Sequence, residues 1–269
     1  MADIIRYRAG FIGCGNMGGT LAANAADSLG GDKIGVCDTD RDRVDRLVGE
    51  YGCDDADIPT LIEKSDYVFL GLKPGALRKV MPEYADCFAG REDCVVVSMA
   101  AGVTIEEIRS ICGGHGKIIR IMPNLGCRVE EGMILESTDG EADDNDLDGL
   151  EEILGYAGSF ERIPETLMDA GCALSGSGPA FAYIFIETLA DAGVECGLSR
   201  KTAQKLAAQT VLGAAKSVLT YGNPASLKDD VCSPGGTTIA GVHALETAGF
   251  RAAAMDAVIA AYKKAKALS

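Results

Sequence analysis

The chain has 269 residues, 47% of them hydrophobic, and a formal net charge of −15. That length suits one large domain or two ordinary ones with a real buried core, and the acidity argues against nucleic acid or an anionic membrane surface as partner, since both select for basic patches. No stretch approaches the roughly 18 uninterrupted apolar residues of a membrane span, and "MADIIRYRAG" has no signal-peptide core, so the expectation is a soluble, cytoplasmic protein.

The first 160 or so residues alternate strand and helix signals. Apolar runs of strand length occur at Ala9 to Ile12, Ile34 to Cys37, Tyr67 to Leu72, Val95 to Met99 and Ile118 to Met122, most of them followed by a glycine or proline break. Helix-like segments lie between them at Met17 to Leu29, Arg41 to Tyr51, Leu77 to Cys87 and Ile105 to Ile111. Short apolar strands joined by crossover helices predict an α/β fold, a doubly wound, Rossmann-type parallel sheet covered on both faces. The acidic run from Asp139 to Glu152 reads as a solvated connection or helix face, because a calcium loop would need a glycine and a terminal glutamate that its spacing lacks.

The first strand opens into "GFIGCGNMGG". Gly13, Gly15 and Gly18 stand in the spacing G-x-G-x-x-G between a strand and a helix, and Asp38 follows Gly18 by twenty residues at the end of the second strand. In such a turn the first glycine permits the bend, the second lets a pyrophosphate approach the backbone, and the third lets helix and strand pack closely. The phosphates then rest on N–H groups at the helix N-terminus. Asp38 suits a ribose diol and repels a 2′-phosphate, while Arg41 and Arg43 are near enough in sequence to offset it, so the cofactor is NADPH or NADH.

Near Pro164 the character changes, and residues 165–269 read as an all-helical second domain behind a dinucleotide-binding domain of residues 1–164. Apolar positions keep helical spacing through "AFAYIFIETLADAG", "KTAQKLAAQTVLGAAKSVL" and "GFRAAAMDAVIAAYKKAKAL". The long apolar helix from Ala180 to Ala192 suits burial either between subunits or inside a bundle. Two stretches rich in glycine, proline and hydroxyl groups interrupt the helices, "LSGSGPAF" and "LKDDVCSPGGTTIAGVHALE". In the second, Pro234, Gly235 and Gly236 break the chain before Thr237 and Thr238 open a helix, so amides and hydroxyls gather at one N-terminus. Such a terminus either binds a carboxylate or is simply a threonine-capped helix start.

Taken together, "GFIGCGNMGG", "FLGLKPGAL", "SMAAGVTIEEI", "RIMPNLG", "LSGSGPAFAYIFIETLADAGV", the "SPGGTT" segment and "GFRAAAMDAV" resemble the pyrroline-5-carboxylate reductase family, in order and over nearly the whole chain. The resemblance implies reduction of the C=N bond of 1-pyrroline-5-carboxylate to L-proline. It also implies a helical domain that makes a homodimer or a higher oligomer of dimers, with substrate bound near the subunit interface. Carried over position by position, it puts the pyrophosphate turn on Gly13, Gly15, Asn16, Met17 and Gly18, and further cofactor contacts on Leu72, Lys73, Pro74, Ala101 and Asp230. It puts the substrate loop on Ser233 through Thr238, including Gly235, Gly236 and Thr237. Thr238 becomes the hydroxyl that meets the ring nitrogen, and Glu165 an acid near the substrate. The chemistry asked of these residues is positional: orient the ring and the nicotinamide so that hydride passes between two carbons.

Three departures accompany the likeness. Leu125 and Gly126 stand where the family places Thr-Pro, Ile58 where it has a polar ribose contact, and Asp229-Asp230 where it has an acid-amide pair. Lys73 is either a cofactor contact or a catalytic acid, and the first fits a strand end followed by proline better. His115 and His243 lie too far apart, with no cysteine or acid at metal spacing, to predict a metal site. The ten cysteines are scattered without CxxC spacing and read as small apolar fillers, Cys232 included. A dehydrogenase of another small substrate would want a lysine early in the first long helix of the second domain, and none occurs before Lys201. A non-catalytic NAD(H) sensor would not need "SPGGTT".

Overall fold

The computed structural model describes residues 7–267, so the outermost residues of the two expected domains, 1–6 and 268–269, fall outside it. It contains eight strands: β1 (Tyr7–Ile12), β2 (Ile34–Cys37), β3 (Asp54–Asp55), β4 (Ser65–Leu70), β5 (Val95–Ser98), β6 (Lys117–Met122), β7 (Gly132–Thr138) and β8 (Gly158–Arg162). They form one sheet in the order β3-β2-β1-β4-β5-β6-β7-β8. Every pairing is parallel except that of β6 with β7, so the expected parallel sheet carries one reversal near its far edge. The order reverses between β1 and β4, and in sheets of this kind that crevice takes the ligand.

The helices that accompany the sheet are α1 (Asn16–Leu29), α2 (Arg41–Tyr51), α3 (Ile58–Lys64), α4 (Pro74–Val80), α5 (Ile105–Ile111), α6 (Asp144–Ile153) and the single turn α7 (Met168–Gly171). Period-two burial splits the strands between two cores, as a sheet covered on both faces requires. Phe11, Val36, Phe69, Val97 and Ile121 face one, Ile12, Val68, Leu70, Val96 and Ile118 the other. Phe11 stacks on Phe69 with ring centroids 4.3 Å apart, and both are fully buried. That places about 2–3 kcal/mol of hydrophobic stabilisation per ring at the crevice strands. Helix starts follow the capping rules: Asp57 accepts the Thr60 N–H and Thr104 the Glu107 N–H. The acidic run is a capped helix, because Asp143 and Asp146 form a capping box at the start of α6.

The chain divides into two compact units. The first reaches Gly176 and also takes the C-terminal residues from Tyr262, and the second is Ser177–Ala261. Four helices lie wholly in the second, α8 (Gly178–Glu195), α9 (Arg200–Tyr221), α10 (Pro224–Asp230) and α11 (Thr237–Thr247), and α12 (Phe250–Lys266) lies chiefly in it. Within it α8 packs on α9 through Ala190, Ala203 and Ala207, with Ile186 and Val194 against them. No residue of α11 or α12 is buried, and Tyr183, Ile184, Leu212, Leu219 and Met255 are exposed. No helix among the described residues is long and apolar enough to cross a membrane.

Candidate functional site

The turn after β1 is built from glycines that touch one another. Gly13 has φ +96°, a left-handed conformation that favours glycine. A Cβ added to Gly18 would collide with the Gly13 carbonyl oxygen, and so would one added to Gly71 at the end of β4. Gly15 differs, for a Cβ there meets nothing nearer than the Arg43 guanidinium at 3.5 Å. Gly13 and Gly18 thus serve the packing of strand on helix, while Gly15 keeps open the approach to the α1 N-terminus, a cradle that a side chain would fill. A dinucleotide pyrophosphate fits this division of roles.

A cleft of about 400 Å³ lies over that turn. Gly15, Asn16, Met17 and Gly18 form its α1 wall, and Leu72, Lys73 and Pro74 its β4 wall. Met99, Ala100 and Ala101 close it from the end of β5. The structure therefore brings together the expected cofactor residues of three separate sequence stretches, all within the first unit. Lys73 is exposed at the N-cap of α4 and makes no ion pair among the described residues. Sequence reasoning missed Gly71, Met99 and Ala100. The glycine between "FL" and "LKPG" was the available signal for the first.

Asp38 stands just behind the turn, 9% exposed. It accepts the Cys14 N–H at 2.6 Å and the Asp40 N–H at 2.8 Å, and the Arg43 guanidinium lies 3.6 Å away. Burial, reinforced by Asp38, pushes the Cys14 thiol up to about 12, so this cysteine in the turn is an inert filler. Cys94 and Cys112 are raised to about 12 by burial as well. Among the described residues no group of three or more His, Cys, Asp or Glu is placed to hold a metal ion. His115 pairs with Glu92 at 2.8 Å on the surface.

Glu165 sits in the first unit, where one carboxylate oxygen accepts the Arg120 guanidinium at 3.1 Å and the Ile105 N–H at 2.7 Å. Both contacts are with its own unit's framework. Ile58 packs against the second core at the start of α3 rather than offering a polar contact. Asn124 of "MPN" organises its loop, accepting the Gly126 and Met133 N–H groups and donating to the Ser175 carbonyl. Leu125 beside it is 43% exposed.

In the second unit the Ser233–Thr238 stretch forms a tight turn into α11. Gly235 has φ +68°, and the Gly236 N–H donates to the Ser233 carbonyl at 3.0 Å. The Gly236 amide is thus spent on the turn, which leaves the Thr237, Thr238 and Ile239 amides ahead of the first helical bond, from the Ala240 N–H to the Gly236 carbonyl. The Thr237 and Thr238 hydroxyls are exposed and have no hydrogen-bond partner among the described residues. His243 lines a shallow groove with Gly235 and Ile239 that does not include Thr238. Asp230 ends α10, in the second unit, whereas the cleft over the glycine turn is lined only by first-unit residues.

Comparison with known proteins gives a consistent result. Residues 165–268 match a family described as pyrroline-5-carboxylate reductase dimerisation, and residues 8–102 one described as NADP oxidoreductase coenzyme F420-dependent. The chain is 39% identical to the pyrroline-5-carboxylate reductase of Escherichia coli, over 97% of each chain. It is 38% identical to pyrroline-5-carboxylate reductase 3 of Danio rerio, over 99% of this chain and 93% of the relative. Among solved structures it resembles a pyrroline-5-carboxylate reductase of Coxiella burnetii with a TM-score of 0.91, 31% identity and 98% of each chain covered. The Plasmodium falciparum pyrroline carboxylate reductase, solved with NADP bound, gives 0.83, 29% and 98% of each chain.

Proposed function

The chain belongs to the pyrroline-5-carboxylate reductase family, and we infer that it reduces the C=N bond of 1-pyrroline-5-carboxylate to L-proline with NADPH or NADH. The observation that carries this reading is the cleft over the glycine turn, where residues from the β1, β4 and β5 ends meet around the open α1 N-terminus. When bound there, the reduced nicotinamide supplies the hydride that the imine carbon accepts.

The residues of this chain bind and orient. The α1 N-terminus would hold the pyrophosphate on its free amides, and Leu72, Lys73, Pro74 and Ala101 would line the cleft beside the bound cofactor. At the start of α11 the Thr237, Thr238 and Ile239 amides hold the carboxylate of the small ring, where the helix dipole favours negative charge. The Thr238 hydroxyl, without an internal partner, hydrogen-bonds the ring nitrogen. No strong general acid is required, because the imine enters already protonated, and positioning supplies the rest of the effect. Self-association follows from the dimerisation family matched by residues 165–268, and the uncovered apolar side chains of α8, α9 and α12 support a homodimer or an oligomer of dimers. By the family match the second domain begins at residue 165, ahead of the break between compact units after Gly176, and the location is cytoplasmic.

Steady-state kinetics of Thr238→Ala and Thr238→Ser test the reading. Loss of the hydroxyl is expected to lower kcat/KM by about ten- to a hundredfold, the effect of one hydrogen bond to a charged group, and serine restores most of it. Unaltered kinetics in Thr238→Ala would remove the hydroxyl from the mechanism.

A further inference from the structure

β2 ends at Cys37, residues 38–40, Asp-Thr-Asp, turn the chain into α2, and Arg41, Asp42 and Arg43 open that helix. In a sheet of this order a dinucleotide lying on the α1 N-terminus carries its adenosine ribose to the β2 end. An acid there accepts hydrogen bonds from the ribose diol, whereas an arginine accommodates a 2′-phosphate. Both residue types are present in this corner, so the way they pair decides between the two cofactors.

The Asp38 carboxylate is held beside the turn by the Cys14 and Asp40 N–H groups, one on each oxygen. A carboxylate offers about four lone-pair positions, so Oδ1 keeps one for a hydroxyl, and the second position on Oδ2 faces the Arg43 guanidinium only at 3.6 Å, beyond hydrogen-bond distance. The arginines are already matched. Arg43 places Nε 3.0 Å from Asp40 and Nη1 3.6 Å from Asp38. Arg41 is gripped by both oxygens of Asp55, at 3.1 and 2.6 Å, with Asp45 3.6 Å away. That pairing also holds the Asp55 carboxyl below its ordinary range. Arg46, a turn further along α2, stands over Gly19 with Glu50 at 3.9 Å. Arg41 and Arg43 thus face two carboxylates apiece. A 2′-phosphate in this corner would have to displace a carboxylate from an arginine and remain next to it, while a ribose diol needs only the free lone pairs of Asp38.

We propose that Asp38 selects NADH over NADPH in this chain, with Asp40 keeping Arg43 from acting as a 2′-phosphate clamp. The proposal rests on the dinucleotide-reductase reading above and deepens it. Equilibrium titration of the full-length protein with NADH and with NADPH, followed by nucleotide fluorescence, reads the preference without turnover. NADH is expected to bind at least about tenfold more tightly, a difference of about 1.4 kcal/mol. In Asp38→Ser the ratio should move toward NADPH by at least about tenfold. Asp40→Asn, which frees Arg43 while leaving the Asp38 carboxylate in place, should move it the same way. This second variant decides the matter where Asp38→Ser loses the turn and binds neither nucleotide. Equal or tighter binding of NADPH by the wild type, or an unchanged ratio in Asp40→Asn, overturns the proposal and leaves the reductase reading intact. Binding of neither nucleotide by the wild type overturns both.

Discussion

The Arg120 guanidinium, 5% exposed in the first unit's sheet, meets the Glu165 carboxylate at 3.1 Å, and the same oxygen of Glu165 receives the Ile105 N–H. Three segments distant in sequence, β6, the start of α5 and the stretch after β8, are tied by one side chain. Removing it strands a buried cation whose Nε already lacks a partner among the described residues. Glu165→Ala is therefore expected to cost about 1–3 kcal/mol in urea unfolding, with Glu165→Gln, which keeps an acceptor for Ile105, falling between. A wild-type midpoint for the alanine variant would exclude this bracing role.

The glycines of the turn predict two different failures. Gly15→Ala should leave the unfolding curve in place and weaken nucleotide binding by at least about tenfold, because the methyl group makes only an ordinary contact with the Arg43 guanidinium at 3.5 Å but obstructs the approach to α1. Gly18→Ala should lower stability by about 1–3 kcal/mol as well, since its methyl group overlaps the Gly13 carbonyl. Paired melting and titration curves separate the cases.

Glu136, 1% exposed on β7, has one oxygen 3.3 Å from the Arg162 Nε and the other without a partner among the described residues. Burial lifts its carboxyl above the ordinary value of 4.5. The folded state then holds this proton more firmly than the unfolded state, so the residue's contribution to stability falls as pH rises from about 4.5 through the raised value. Glu136→Gln abolishes that titration. Its stability relative to wild type is expected to improve between pH 4.5 and neutrality, and a difference independent of pH would refute the assignment.

Self-association is open to a direct measurement. Ile184 on α8 and Leu212 on α9 are 63% and 43% exposed within the single chain, a state that apolar side chains in number rarely keep in water. Sedimentation velocity should give a species larger than 28.0 kDa, and the double change Ile184→Asp and Leu212→Asp should shift it toward the monomer. A wild-type monomer at micromolar concentration would count against the assembly.

Legibility followed the strength of the local signal. β2, α2 and α5 were predicted to the residue, because apolar period and caps agree there. α3 gives little helix signal, being seven residues long with proline inside its first turn. β7 and β8 carry little strand signal because "GMILEST" and "GSFER" mix polar and apolar residues, and no local feature announces the antiparallel pairing of β6 with β7. The pattern predicts one helix over Leu77 to Cys87, yet Pro82 makes it a short α-helix followed by a tighter 3₁₀ stretch. At the cofactor cleft, spacing revealed Gly13, Gly15 and Gly18, but Gly71 belongs to the same packing through space alone. The Glu165 contacts with Arg120 and Ile105 were equally beyond a one-dimensional reading, being separated by 45 and 60 positions.

The mutual contact of Gly13, Gly18 and Gly71 also limits how this region can move. With each of the three backbones pressed against another, the β1 turn, the head of α1 and the end of β4 translate together as a single stiff block. Any loosening that lets an oxidised nucleotide depart has to arise at its margins, where the exposed Lys73 side chain has no ion pair among the described residues to hold it. Redesign aimed at faster exchange belongs at those margins, and the glycine block is best left alone.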